Sequence, residues 1–316
     1  MSIISFFKLV EIQTKLASVI PFFLGSLYSI YRFQAFNIKN FFLMFISLLC
    51  FDMATTAINN YVDYKKAQKT EGYNYEVHNA IVQYNLKEFT VVITIILLIG
   101  VAVCFGWLLY LRTSLFVLAL GVLSFLVGIL YTFGPLPISR MPLGEVFSGF
   151  FMGFLIPLIA AYIHISDLDI ISLTYDQGSL KGSLNVVEGI YLFLFSIPAI
   201  AGIGNLMLAN NICDIEDDIQ NNRTTLPIFI GREKALQLFK WIYILAYIDI
   251  IVLILLGILP WTGVLILITI GPVKKHVKQF MRQQTKKDTF VIAVKNFMLL
   301  GGSQVVAVLL GLLFIK

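Results

Sequence analysis

The chain has 316 residues, 59% of them hydrophobic and 13% charged, and its mean hydropathy is +0.88. That balance excludes a soluble globular domain and a disordered chain. The formal net charge is +5, but no basic patch is interleaved with exposed aromatics, so nucleic acid is not an expected partner.

Apolar runs close to the ~20 residues that cross a bilayer recur along the chain. They lie at 15–31, 41–58, 89–111, 114–132, 145–164, 189–209, 235–258, 260–272 and 289–315. The expected fold class is an all-α integral membrane protein: one domain over 1–316, about nine transmembrane helices in one bundle, with the bilayer as partner. The eighth run is short and stops at Gly271-Pro272. Nine crossings put the termini on opposite sides. The opening MSIISFFKLVEIQTK lacks a cleavable-signal pattern, because Glu11 and Lys15 interrupt it, so the first run is expected to stay in the membrane.

Basic residues set the orientation. Lys8, Lys15, Lys65, Lys66, Lys69, Lys87, Arg140, Arg223, Arg232, Lys234, Lys274, Lys275, Lys278, Arg282, Lys286 and Lys287 fall on one side of a nine-span arrangement. Only Arg32, Lys39, Arg112 and Lys181 fall on the other. The positive-inside rule then makes the N-terminus cytoplasmic and the C-terminus external. It also puts the polar loops 59–88 and 210–234 inside, leaves 165–188 as an acidic outer loop, and makes 273–288 a basic connector near anionic headgroups. Cys50, Cys104 and Cys213 show no CxxC spacing, so neither a disulfide framework nor a zinc site is expected.

Two polar clusters interrupt this greasy sequence. The second span ends in Asn59, Asn60 and Asp63, and Asp52, Thr56, Asn59 and Asp63 keep helical spacing along it. The sixth ends in Asn210, Asn211, Asp214, Asp217 and Asp218, followed by Arg223. Ionisable groups at membrane depth are costly and mark working sites. Hard oxygen donors at this spacing suit Mg²⁺, which takes few carboxylates and completes its shell with phosphates and water. N-N-x-x-D occurs in both clusters, an internal likeness of the kind that places a site between repeated halves. Glu216 and Asp217 read as solvated loop acids, and Cys213 as a small packing residue. Lys65 reads as a phosphate contact or an interfacial lysine, and His78 as a base or a solvent-exposed histidine.

NNYVDYKK together with NNICDIEDDIQNNRTTLP resembles the paired aspartate motifs of the UbiA superfamily of intramembrane aromatic prenyltransferases. Asn210, Asn211, Asp214, Asp218, Arg223 and Leu226 are similar to the pattern of its 1,4-dihydroxy-2-naphthoate polyprenyltransferase branch (MenA-type). So are YTFGPLPISRMPLGE (131–145) and EIQTK (11–15). The resemblance implies Mg²⁺-dependent transfer of a polyprenyl group from a polyprenyl diphosphate to an aromatic acid, at the cytoplasmic side of a bacterial plasma membrane, on the path to menaquinone. It implies catalytic roles for Asp63, Asp214, Asp218 and Arg223, and Mg²⁺ held by Asn59, Asp63, Asp214 and Asp218. Substrate contacts are expected from Asn59, Asn60, Asn210, Asn211, Lys15, Lys65, Tyr131 and Asp52, with Gly134-Pro135 beside Tyr131 shaping the acceptor pocket.

The chain departs from the motif in places. Asn60 replaces the usual Asp, and the third acid of the first motif has no clear counterpart among Ala67, Lys69 and Glu71. Asn210 stands where another branch carries Lys, which favours a naphthoate over a 4-hydroxybenzoate acceptor. An ion-coupled carrier is the main non-enzyme alternative, but its site would lie near the bilayer midplane, not at one face. A phospholipid phosphotransferase would need a D-G-x-x-A-R motif that the sequence lacks.

Overall fold

The computed structural model describes residues 1–66, 79–132, 137–168, 170–176 and 178–314. A short helix α1 (Ile3–Leu9) and a 3₁₀ turn (Ile12–Lys15) lead into α2 (Leu16–Phe33). Then come α3 (Ile38–Lys66), a single turn α4 (Ala80–Gln83), α5 (Glu88–Tyr110) and α6 (Leu115–Thr132). Helix α7 (Gly144–Ile165) contains a π turn over Phe151–Leu155. After a hairpin come α8 (Val186–Cys213), α9 (Ile215–Gln220), α10 (Leu226–Ile230), α11 (Arg232–Leu255), α12 (Ile270–Arg282) and α13 (Phe290–Leu312).

Among the described residues seven helices are long and apolar enough to cross a membrane, and Leu115–Tyr131 is a shorter apolar helix. The eighth expected run is built differently from the rest. Its apolar part, Trp261–Thr269, is a 3₁₀ helix that runs straight into α12. The basic segment read as a connector is therefore helical to Arg282, because Val273, Val277 and Phe280 fall on one face and bury it. The outer loop also differs from expectation. Strands β1 (Ile171–Asp176) and β2 (Ser179–Leu184) pair antiparallel, so the protein is not wholly helical. Asp176 and Ser179 close the hairpin with Gly178 at φ +82°, a conformation that suits glycine, and Ile171, Thr174 and Tyr175 of β1 are residue types that favour strands.

Helix contacts sort the loops between two ends. At one end Asn60 of α3 donates to the Leu9 carbonyl at 2.9 Å, and Asn79 donates to the Asn60 carbonyl at 2.8 Å. Thr224 N–H donates to the Arg140 carbonyl there, and Lys65 pairs with Glu88 at 2.6 Å. At the opposite end Arg32 pairs with Glu188 at 2.7 Å, Asn37 N–H donates to His164 Nδ1, and Arg112 donates to Asn40. Among the described residues, the polar segments that carry Asn60, Lys65, Arg140 and Thr224 meet at the first end.

Lipid supplies no hydrophobic drive between helices, so close packing of small residues holds such a bundle together. A Cβ on Gly25 of α2 would sit 2.3 Å from the Pro157 carbonyl oxygen of α7. One on Gly153, inside the π turn, would sit 2.5 Å from the Ile200 backbone of α8. Pro157 follows that turn and lacks an N–H to donate, and π turns often re-aim side chains at sites. Here Phe147 and Phe151 stack at 5.7 Å and line a large, partly open cavity. Gly153→Val should cost about 1–3 kcal/mol by overpacking, read as a lower thermal unfolding temperature in detergent with no loss of helix content.

Candidate active site

One face of α3 is polar along its inner half. Asp52, Thr55, Thr56, Asn59, Asn60 and Asp63 recur every three or four residues and line a cavity of about 1320 Å³. Asp52 and Asp63 stand about three turns apart, roughly 16 Å along the axis, and do different things. Asp52 accepts from Lys15 Nζ at 2.7 Å and Ser18 Oγ at 2.6 Å, and Lys15 also reaches Thr56 Oγ1 at 2.6 Å. Lys15 is 4% exposed. Its charge is compensated deep in the bundle, so it does not stand with Asp63 at the helix end, where a phosphate contact was expected of it. Asp63, half exposed, faces Arg223 at 3.7 Å.

The second cluster reaches Arg223 from the other side. Asp214 N–H bonds the Asn210 carbonyl and Asp218 N–H bonds the Asp214 carbonyl, so helical stacking of Asn210, Asp214 and Asp218 survives the break between α8 and α9. After α9, Asn222 adopts φ +53°, tolerable for Asn, and lets the Arg223 N–H return to the Asp218 carbonyl at 2.9 Å. That turn brings Arg223 Nη1 to 3.6 Å from Asp218 Oδ1 while Nη2 faces Asp63. One guanidinium thus spans both clusters. Asp218 is 5% exposed and also accepts from Thr225 Oγ1 at 3.3 Å. Burial, helped by the neighbouring Asp214 charge and opposed by Arg223 and Thr225, pushes its carboxyl up to about 6. A bound cation would favour the ionised form and draw it back down.

The remaining expected residues divide between the site and its supports. Lys286, in the turn before α13, bridges Asp214 and the Asn210 side-chain oxygen. Asn211 turns away from Asp214 and donates to buried Glu145 Oε1 at 2.7 Å, and Asn60 Nδ2 ties α1 down. Lys65 pairs with Glu88, beside Tyr61. Tyr131 lines the cavity and its hydroxyl accepts from Ser148 Oγ at 3.0 Å. Glu216 pairs with Arg232, and Asp217 is exposed. His78, Ala67, Lys69, Glu71 and Gly134-Pro135 lie outside the described residues.

Three residues that contact the expected ones carry little signal of it in the sequence. Lys286 sits in a basic run whose topology signal hides any local role. Glu145 opens an apolar helix, and that position alone could have flagged it. Ser18 carries no signal beyond its place one turn after Lys15.

The donor set suits a hard cation shared with phosphate. Asn59 Oδ1 is buried without a hydrogen-bond donor, and Arg223 Nε is buried without an acceptor. The first offers a neutral oxygen to a cation, the second an N–H to an anion. Among the described residues no three Asp, Glu, His or Cys side chains gather closely enough to enclose a metal alone. A cation here would need phosphate or water ligands as well, as Mg²⁺ accepts.

A model of the UbiA prenyltransferase family matches residues 18–301. The chain belongs to that family. Among curated UbiA relatives, a 1,4-dihydroxy-2-naphthoate octaprenyltransferase from Bacillus subtilis (strain 168) is 29% identical over 92% of this chain and 86% of its own length. Among solved structures, the apo form of a UbiA homolog from Aeropyrum pernix K1 superposes with a TM-score of 0.67 at 16% identity, covering 93% of this chain and 98% of that one. A UbiA homolog from Archaeoglobus fulgidus, bound to GPP and Mg²⁺, gives 0.63 at 13% identity over 98% and 99%. The chain is thus a multi-pass membrane protein with the UbiA fold.

The Lys15–Asp52 pair can be tested directly. Lys15→Met should cost about 1–3 kcal/mol, because it leaves a largely buried carboxylate without its charge partner. Adding Asp52→Asn should recover much of that loss. Thermal unfolding of the single and double variants in detergent measures both.

Proposed function

We propose that this protein transfers a polyprenyl group from its diphosphate to 1,4-dihydroxy-2-naphthoate, releasing diphosphate and CO₂ and leaving a demethylmenaquinol skeleton. The observation that carries this reading is the Arg223 guanidinium set between Asp63 and Asp218, which joins the two aspartate motifs into one mouth above an apolar cavity. The naphthoate assignment draws support from the Bacillus subtilis relative and from the motif around Asn210 and Asn211. The Archaeoglobus fulgidus homolog binds GPP and Mg²⁺, which supports the same ligands here.

In this reading Asp63, Asp214, Asp218 and the Asn59 amide oxygen would hold Mg²⁺, whose charge offsets that of the departing diphosphate. Arg223 presents a fork matched to phosphate oxygens, and Lys286 adds a second cation at the same mouth. Both stabilise negative charge that grows as the allylic C–O bond breaks. The ring carbon of the acceptor then forms the new C–C bond. Loss of CO₂ returns the electron pair of the broken C–C bond to the ring. Tyr131 and Ser148 border the upper cavity, where they would orient the acceptor, while the apolar walls keep water from the cation. Glu145 acts through Asn211, steadying the end of α8 that leads to the turn carrying Arg223. The basic residues at this end support a mouth on the cytoplasmic side of a plasma membrane, with the N-terminus inside under a nine-crossing topology.

Purified protein, Mg²⁺, a labelled prenyl diphosphate and a panel of aromatic acids, with products read by mass spectrometry, test the reading. Prenylated, decarboxylated naphthoate is the expected product. Asp214→Ala and Asp218→Ala should each lower turnover by roughly a hundredfold or more, and Arg223→Lys should fall short of wild type because it loses the fork. Unchanged turnover in either aspartate variant would remove the metal–diphosphate role. Product from 4-hydroxybenzoate alone would move the acceptor.

A further inference from the structure

The cavity does not end beneath the polar mouth. Its lining follows α3 from Asp63 down to Met44, about 28 Å at the helical rise, close to the ~30 Å depth of the hydrocarbon layer. Partway down, Phe51 of α3 and Phe125 of α6 reach across from facing walls and stack. Their ring centroids are 3.9 Å apart and their planes 24° from parallel. Both rings line the cavity. Phe51 can lie there because α6 carries glycine opposite it: a Cβ on Gly128 would come within 2.7 Å of Phe51 Cζ.

The wall changes character at this pair. Above it α3 presents Asp52, Thr55, Thr56 and Asn59. Below it the lining includes Leu48, Met44, Val117, Gly121 and Ile159, and the hydroxyls there are paired: Ser47 donates to the Ala102 carbonyl and Ser124 to the Leu120 carbonyl, each at 2.8 Å. A region whose polar groups are already paired welcomes hydrocarbon and nothing else.

We propose that the Phe51–Phe125 stack selects the donor by chain length. A short prenyl tail ends above the rings, whereas a long tail must part them and fill the lower apolar chamber. The pair discriminates without excluding, because separating two rings forfeits less than burying many methylene groups gains. This inference rests on the reading that the donor's diphosphate sits between Asp63 and Asp218.

Two substitutions push in opposite directions. Phe125→Ala removes one leaf of the stack and should raise kcat/KM for heptaprenyl diphosphate relative to geranyl diphosphate, by roughly tenfold. Gly121→Leu fills the lower chamber; a Cβ there meets nothing within 4 Å, so the backbone need not move. It should lower the same ratio by roughly tenfold or more, leaving geranyl transfer near wild type. Donor-induced thermal stabilisation should show the same ordering without any acceptor, and the unfolding temperature of each variant without donor reports whether it has folded. Variants that fold but leave the ratio unchanged, or that shift both donors equally, would overturn the selector. A wild-type protein that transfers neither donor and is stabilised by neither would overturn the proposed reaction as well, so the two failures are distinguishable.

Discussion

A single side chain, Arg223, stands between carboxylates that the sequence separates by about half its length. Its two terminal nitrogens face Asp63 and Asp218 at 3.7 and 3.6 Å. Half-buried and flanked by apolar helices, these charges interact more strongly than they would in water. Several weaker contacts converge on keeping the guanidinium there. The left-handed Asn222 returns the chain onto Asp218, Thr224 bonds Arg140, and Glu145 receives Asn211 from the helix that precedes the turn. Were the ends of α3 and α8 not neighbours, the two motifs would be separate acidic patches with no common chemistry.

Polar groups in this bundle fall into two kinds. Some donate to backbone carbonyls of other helices and knit the bundle together where water is absent. Asn205 donates to the Phe239 carbonyl, Gln304 to the Phe195 carbonyl, and Asn40 to the Ile163 carbonyl. The Lys15–Asp52–Ser18 group is of this sort although it borders the cavity. Others line the mouth. Among the described residues Asn59 Oδ1 and Arg223 Nε are buried without a partner, one an acceptor and one a donor. An acceptor and a donor of this kind suit a ligand that brings both a cation and an anion.

The cavity joins this mouth to a deep apolar chamber, and the shape of α7 helps to form it. The π turn before Pro157 shifts the helix face so that Phe147, Phe151 and Met152 turn inward, while Gly153 lets α8 approach closely. Site and packing are therefore solved by the same few residues. Glycine appears where helices must touch and aromatics where the enclosed space must be shaped.

Composition and periodicity were enough to determine a membrane bundle, the approximate place of each apolar helix and the two Asn/Asp clusters, since each depends on residues near one another in the chain. Helical spacing alone put Asp52, Thr56, Asn59 and Asp63 on one face. Which partner each of those acids takes was decided only by packing. Lys15 closes on Asp52 because α2 lies against α3, and Asp63 meets Arg223 because α9 folds back over the end of α8. The same holds for Lys286 on Asp214, for Asn211 on Glu145 and for the extension of the eighth segment to Arg282. Each is a contact or a buried face supplied by a distant part of the chain. Local pattern reports how a helix is formed, whereas the partner of a charge depends on which helices become neighbours.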